Sequence, residues 1–224
     1  MPYNARGFGR RRDDREKEEK VFDINAWQPK TKLGMQVKTG QITKIEQIFD
    51  SGKTIKEVEI VDALLPSLET KTIEVASVQR MTKDTRKAKY RTTVVIGDRG
   101  GNVGIGVGKN VELRPSGDEA VEDSKKHIIN IALGCGSWEC NCGTKHTIPI
   151  TLKAKCGSAE IILKPAPRGI GIVANETAKT VLELAGVKDI WTFSRGRTRD
   201  IYNMAMATYL ALKSLSEIKN SEAI

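Results

Sequence analysis

The chain has 224 residues, 39% of them hydrophobic, and its 37 Lys and Arg outnumber its 28 Asp and Glu to give a net charge of +9. This length suits one large domain or two small ones with a modest core. The positive charge favours an anionic partner, most simply a nucleic acid. No stretch approaches the roughly 18 apolar residues of a membrane span. We therefore expect no membrane partner. Because Met1–Arg12 also lacks the apolar segment of a secretory signal, we expect the four cysteines to be reduced.

The first 69 residues divide into a charged tail and an extension with short helices. Residues 1–20 carry seven basic and five acidic residues with almost no large apolar side chain, which predicts a disordered basic tail. Such a tail is either a solvated segment or an arm that orders on RNA. Within the extension, 21–69, the sequence predicts extended chain over 21–34, a helix capped by Thr43, and a helix over Lys56–Leu65 that Pro66 ends.

Residues 70–134 have the pattern of a small RNA-binding domain. Alternating apolar residues and turn signals predict strands at 70–79, 88–97 and 102–108. Pro115 and the apolar residues that follow predict a helix over about Gly117–Ala132. With the helix that precedes the strands, the order is helix, three antiparallel strands, helix. We interpret this order as a double-stranded-RNA-binding-like fold.

The remaining chain predicts a Cys-rich connector at 135–147, a second domain at 148–218 and a short tail at 219–224. The second domain should contain strands Ile148–Lys155 and Ala159–Pro165, helix Glu176–Ala185, strand Lys188–Phe193 and helix Asp200–Ser216. The predicted fold class is therefore α+β, a double-stranded-RNA-binding-like domain followed by a β-β-α-β-α C-terminal domain.

Arg80–Arg91 holds six basic residues and one acidic residue, Asp84, and should form an exposed loop between two strands. Each Lys or Arg placed on a nucleic-acid phosphate displaces a condensed counterion, so the segment suits RNA, although a solvated face is the alternative. Two loops of the second domain carry further candidate arginines. The candidates in the three segments are Arg80, Lys83, Arg86, Lys87, Lys89, Arg91, Arg168, Arg195, Arg197 and Arg199.

Gly104, Gly106 and Gly108 alternate along the third predicted strand and so share one face. A strand face without side chains allows close approach of another backbone, either RNA or another strand, so we include these glycines and Lys109 among the RNA contacts. The run superficially resembles a nucleotide-binding loop. A Walker loop, however, requires Ser or Thr after the Lys, where this chain has Asn110.

The cysteines and histidines define the only candidate metal site. The spacing Cys135-x4-Cys140-x-Cys142-x3-His146 offers four zinc ligands, with Cys156 competing with Cys135 for a place. The alternative is reduced cysteines packed as small hydrophobic residues. Our main expectation is no cofactor, with structural zinc as the alternative. No Ser/His/Asp arrangement has a recognisable spacing, so we predict no enzyme activity.

Three motifs together carry a family resemblance. They are Trp27-x-Pro-x-Thr-Lys-Leu-Gly34, Val95-Ile-Gly-Asp98 with Gly101-Asn-Val-Gly-Ile-Gly-Val-Gly-Lys109, and Lys164-Pro-Ala-Pro-Arg-Gly-Ile-Gly171. In this order the chain closely resembles the universal small-subunit ribosomal protein five family, from about Trp27 to about Leu215. The N-terminal extension and the Cys-rich connector resemble the archaeal type.

The resemblance implies a structural, ribosome-bound protein of the cytoplasm. It implies binding to small-subunit rRNA near the decoding region, with Arg80–Arg91 as the rRNA-facing loop. It also implies contact with ribosomal protein four through Gly157 and Ser158, where substitutions alter translational accuracy. Neighbouring small-subunit proteins and the mRNA entry path are further expected partners. The alternatives are a free double-stranded-RNA-binding regulator and, by fold analogy alone, a small-molecule kinase.

Overall fold

Two four-stranded sheets and six helices make up the computed structural model, which describes residues 27–217. The predicted tails at 1–20 and 219–224 lie outside these residues. The helices are α1 (Lys32–Lys38), α2 (Glu46–Asp50), α3 (Val58–Leu64), α4 (Leu113–Lys126), α5 (Glu176–Leu184) and α6 (Ile201–Glu217). The strands are β1 (Glu69–Met81), β2 (Arg86–Gly97), β3 (Asn102–Asn110), β4 (Ile128–Asn130), β5 (Leu152–Cys156), β6 (Ala159–Pro165), β7 (Ile172–Val173) and β8 (Ile190–Gly196). Within this described part, no helix combines the length and apolar character that crossing a bilayer requires.

The N-terminal extension contains short helices, as expected, but it has three where the sequence predicted two. The extended segment ends at Thr31, whose hydroxyl accepts a hydrogen bond from Gly34 N at 3.1 Å and caps α1. Extended chain as far as Gly34 was therefore a wrong prediction. Thr43 caps no helix, because α2 begins later and has Ile45 at its N-cap position.

The first sheet has the order β1-β2-β3-β4, with every neighbouring pair antiparallel. The predicted helix Gly117–Ala132 was wrong at both ends, since α4 starts at Leu113 and ends at Lys126. Beyond its end, Ile128–Asn130 pairs with Asn102–Gly104 of β3. Ile128 and Ile129 are β-branched and suit a strand conformation. Their backbone groups form hydrogen bonds with the edge of β3, whose own backbone groups would otherwise be unpaired.

The two faces of this sheet belong to two separate hydrophobic cores. On one face, Val94 and Ile96 pack with Ala120 of α4 and with buried residues of the N-terminal helices, including Ile48. A salt bridge of 2.6 Å from Lys125 Nζ to Asp62 Oδ1 joins α3 to α4 beside this core. On the other face, Val95, Val103 and Ile105 pack with buried residues of α5 and α6. The second domain therefore forms the second layer of the first sheet.

The second sheet has the order β5-β6-β8-β7, and α5 and α6 supply its helical layer. The predicted β-β-α-β-α order is present with one addition, the two-residue strand β7, which runs parallel to β8. Strand β5 starts at Leu152, later than predicted, and β8 continues to Gly196 because Glu160 and Ala159 extend its ladder with β6. The predicted fold class is confirmed.

Candidate nucleic-acid interface and cysteine cluster

The basic segment Arg80–Arg91 is the end of a long β-hairpin, and its loop is shorter than the exposed loop predicted over these residues. Strand β1 continues to Met81 and β2 begins at Arg86, which leaves a turn of four residues. The turn closes on itself, since Thr82 N donates to Thr85 O at 2.9 Å and Thr82 Oγ1 donates to the same oxygen at 2.6 Å. Five of the six basic residues therefore have positions fixed by the strand ladder, and only Lys83 lies in the turn.

Four of the predicted contacts form a single stripe on one face of the hairpin. Arg80 lies directly opposite Lys87 in the ladder, Lys89 follows two residues later, and Lys109 of β3 lies opposite Arg91. Side chains two residues apart on a strand share a face, so the strand pairing places these cations side by side. We call Arg80, Lys87, Lys89 and Lys109 the basic stripe.

The basic stripe borders an open groove on the protein surface. The groove has a volume of about 530 Å³ and is lined by Val78, Arg80, Met81, Thr82, Lys87, Lys89 and Lys109. All four cations of the stripe are exposed, and none of the lining residues is acidic. This arrangement attracts an anion with regularly spaced charges. Lys83 and Arg86 are exposed at the hairpin end but do not line the groove.

Arg91 has a different environment from the stripe. Its guanidinium lies 3.6 Å from Glu74 Oε2, and its Cζ is 5.4 Å from the ring centroid of Tyr202 at the start of α6. A half-buried Arg stacked on a ring and paired with a carboxylate contributes to packing as well as to charge. Arg91 therefore joins the hairpin to the second domain, and its neutralised charge makes it a weaker RNA candidate than the stripe.

The three glycines of β3 face helix α4 and are buried, which corrects the prediction that they contact RNA. A Cβ at Gly104 or Gly106 would overlap the backbone of Ser124, and one at Gly108 would overlap that of Ser116 and lie 2.6 Å from Ala120 N. The glycines do allow another backbone to approach the strand closely, as predicted. The backbone that approaches is α4, which can then lie directly on the sheet.

The second-domain candidates lie at opposite ends of the second sheet. Arg195 is at the end of β8 and opposite Glu160, while Arg197 and Arg199 follow in the turn before α6. Gly157 and Ser158 form the β5–β6 turn at this same end, and both are exposed. Because Tyr202 contacts Arg91, this end also lies near the hairpin. Arg168 lies at the other end, in the exposed loop after β6.

The connector brings together four of the five candidate metal ligands. Cys135, Cys140, Cys142 and His146 have ligand atoms within 4.8 Å of one another. The connector closes at its base through the bridge between Gly134 and Thr147, which places the first cysteine and the histidine together. Cys156 lies elsewhere, on β5, with its sulfur 3.8 Å from Asn203 Oδ1. The competition between Cys135 and Cys156 is thus resolved in favour of Cys135.

Two of the distances within the cluster match those of a tetrahedral zinc site. Cys135 Sγ lies 3.7 Å from Cys142 Sγ, and Cys140 Sγ lies 3.7 Å from His146 Nε2. Sulfur ligands at about 2.3 Å from zinc lie about 3.8 Å apart in a tetrahedron. Hydrogen bonds from the Thr144 side chain and backbone lower the pKa of Cys142 to about 6, whereas desolvation raises the pKa of Cys135. One thiolate is therefore available near neutral pH without a metal.

Asp189 is the functional candidate that the sequence analysis missed. Its Oδ2 lies 2.9 Å from Nδ1 of His146, and both side chains are buried. Burial would raise the pKa of Asp189, but backbone N–H groups of Gly171 and Gly169, together with His146, lower it overall. Metal-binding histidines commonly direct their second ring nitrogen to a carboxylate. No local motif marks Asp189, because it lies 43 positions from His146 along the chain.

Comparison with known proteins matches both domains to one family. The family model "Ribosomal protein S5, N-terminal domain" matches residues 68–132, and "Ribosomal protein S5, C-terminal domain" matches residues 154–223. Small ribosomal subunit protein uS5 of Methanocaldococcus jannaschii is 53% identical over 201 residues, covering 90% of this chain and 93% of that protein.

Two further relatives carry the same name. Small ribosomal subunit protein uS5 of Methanococcus maripaludis is 50% identical over 90% of each chain. That of Aeropyrum pernix is 50% identical over 86% of this chain and 88% of its own. The resemblance stated from the sequence, including its archaeal type, is confirmed. The chain therefore belongs to the ribosomal protein S5 family.

Proposed function

We propose that the protein binds small-subunit rRNA through the basic stripe, contacts ribosomal protein four through Gly157 and Ser158, and supports accurate decoding beside the mRNA entry path. The proposal starts from family membership. A protein of this family is a structural, ribosome-bound constituent of the small subunit in the cytoplasm, and it is not an enzyme. What is proposed is the set of residues that perform the binding.

The basic stripe is the observation that carries the RNA proposal. Four exposed cations lie on one face of a rigid hairpin and border a groove without acidic residues. Because the strand ladder fixes their positions, little backbone entropy is lost when they meet phosphates. Arg197 and Arg199 extend the same charged region toward the second domain, and Arg168 provides a separate contact. The exposed Lys83 and Arg86 can reach RNA from the hairpin end.

The test is the salt dependence of binding between the full-length chain and deproteinised small-subunit rRNA. Replacing Lys87 and Lys89 with Gln should lower the slope of log K against log salt by about 1.4–1.8, since each lost phosphate contact removes roughly 0.7–0.9. A control with Lys44 and Lys213 replaced by Gln loses the same charge from exposed positions elsewhere. Equal slopes for the two double variants would contradict the role of the stripe.

The proposed contact with ribosomal protein four depends on the exposed β5–β6 turn. Ser158 is the cleaner position to test, because Gly157 has a φ of +59° and any side chain there would also strain the turn. Ser158→Trp should weaken association with ribosomal protein four and change misreading in a reporter assay. Thr151→Trp, exposed beyond the other end of β5, is the control. Wild-type association and accuracy in the Ser158 variant would contradict this surface.

The proposal includes a structural zinc ion held by Cys135, Cys140, Cys142 and His146. The close approach of these four ligand atoms supports zinc, because zinc favours a closed shell of four sulfur and nitrogen ligands in structural sites. Mass spectrometry of metals in the purified chain should find zinc in the wild type and in Cys156→Ser. The Cys140→Ser variant should lose it. A metal-free wild type purified without chelator would contradict the site.

A further inference from the structure

A buried carboxylate connects the cysteine cluster to the loop that carries Arg168. Asp189 Oδ2 faces His146 Nδ1 at 2.9 Å. The other oxygen, Oδ1, accepts hydrogen bonds from Gly169 N at 3.0 Å and from Gly171 N at 2.8 Å. One side chain therefore touches a candidate metal ligand and two backbone positions of the loop between β6 and β7.

The loop needs these contacts to keep its shape. Gly169 and Gly171 have φ values of +96° and +76°, a region that residues with side chains rarely adopt. No atom lies within 4 Å of the Cβ position of either glycine, so packing does not fix them. Ile190 N donates to Gly171 O at 3.1 Å and closes the loop against β8. The three hydrogen bonds to and from residues 189 and 190 thus fix the exposed part of the loop at Gly169 and Gly171.

Backbone hydrogen bonds fix the geometry on the cluster side. His146 O accepts from Lys188 N at 2.9 Å and from Asp189 N at 3.2 Å. His146 and Asp189 are therefore held together through the main chain and through their side chains. A change in the position of the His146 ring cannot occur without moving the carboxylate or breaking its contact.

We propose that zinc in the cluster, acting through His146 and Asp189, holds the loop from Ala166 to Gly171 in the conformation that presents Arg168. The inference rests on the zinc site of the proposed function. A zinc ion on Nε2 fixes the ring and leaves Nδ1 as a donor toward Asp189 Oδ2. The carboxylate then keeps its second oxygen for the two glycine N–H groups. Asp189 is a positioning residue that neither binds the metal nor contacts RNA.

The coupling between zinc binding and loop order can be measured either as zinc affinity or as loop protection, because thermodynamic linkage is reciprocal. Removing a partner of this kind weakens metal binding by about 10–100-fold. If the ordered loop favours zinc by such a factor, zinc must favour the ordered loop by the same factor. The protection of the loop amides against hydrogen exchange should change accordingly.

The experiment combines zinc analysis with hydrogen exchange on the full-length chain, before and after a chelator removes zinc. In the wild type, chelation should speed exchange of the Gly169 and Gly171 amides. His146→Cys keeps four zinc ligands but lacks the ring, so it should bind zinc while the loop exchanges rapidly. Asp189→Ala removes both oxygens, so its loop should exchange rapidly with or without zinc, and it should hold zinc about 10–100-fold more weakly. Asp118→Ala, an exposed change on α4, should match the wild type.

The outcomes separate this inference from the proposals on which it depends. Zinc in the wild type with loop exchange insensitive to chelation would overturn the coupling and leave the zinc site intact. A His146→Cys variant that binds zinc and protects the loop as well as the wild type would do the same. A wild type without zinc would overturn both the site and the coupling. None of these results would affect the proposed rRNA contact of the basic stripe.

Discussion

Replacing Gly106 with Ala should destabilise the protein, although the added methyl group is small and the change usually stabilises a strand. A Cβ at Gly106 would lie 2.7 Å from Ser124 Cα and still closer to Ser124 N and Ala120 O. All three obstacles are backbone atoms of α4, so no side-chain rotation can relieve the overlap. The helix must move away from the sheet.

The magnitude follows from two opposing effects. Gly→Ala in a regular element normally gains about 0.5–1 kcal/mol through backbone entropy. Overpacking a close interface costs about 1–3 kcal/mol, and occasionally more, when the surroundings must shift. Displacing α4 also weakens the buried hydrogen bond of 3.1 Å from Ser116 Oγ to Gly108 O. We expect a net loss of about 2 kcal/mol in the free energy of unfolding.

Urea unfolding of the full-length chain measures this change, with Gly117→Ala as the matched control. Gly117 lies on α4 itself, and no atom lies within 4 Å of its Cβ position. There the same substitution should stabilise the protein by about 0.5–1 kcal/mol. The two midpoints should therefore move in opposite directions with similar m-values. A Gly106 variant as stable as the wild type would refute close packing of α4 on β3.

Two further changes test other parts of the structure. Ser116→Ala should lower the free energy of unfolding in urea by about 1–2 kcal/mol. The buried Ser116 hydroxyl lies within 3.1 Å of Tyr90 O, Thr92 Oγ1 and Gly108 O, and the variant loses these contacts. An unaltered urea midpoint would count against this network. Tyr209→Phe should cost about 1 kcal/mol at pH 7 through loss of its 2.8 Å hydrogen bond to His127 O. Burial raises the pKa of Tyr209 from 10 to about 12, so its stabilisation is complete below pH 10 and is lost as the pH rises to about 12. The Phe variant should show a shallower decline in unfolding free energy over that interval, and parallel pH curves would argue otherwise.

The elements with strong local signals were predictable from sequence. The second and third strands of the first sheet were placed well because their apolar residues alternate and a Gly-rich turn separates them. Strand β4 was missed because the spacing of Ile128 and Ile131 also fits a helix. Its strand conformation depends on the unpaired edge of β3, which a local pattern cannot reveal. Helix α1 was missed because Pro29 dominated the interpretation, although Thr31 carried a capping signal.

The candidate site was predictable in composition but less so in arrangement. The charge of Arg80–Arg91 indicated RNA binding. Only the strand register shows that the basic stripe lies on one face of the hairpin. Only the structure shows that Arg91 forms an ion pair with Glu74. Gly104, Gly106 and Gly108 alternate along the sequence, which showed that they share one face of the strand. The alternation could not show that helix α4 packs against that face. The contact of Asp189 with the connector spans distant parts of the chain, and such contacts leave no trace in local spacing.

The shared use of the first sheet has a consequence for synthesis. Residues up to about 134 leave the translating ribosome first, and they can pair the four strands and place α4. Val95, Val103 and Ile105 remain without their covering layer until α5 and α6 have emerged. A nascent chain paused between the two domains therefore presents an apolar sheet face, which is a binding surface for chaperones and a risk for aggregation. The order of translation, and not only the final packing, thus bears on whether this protein reaches its native state.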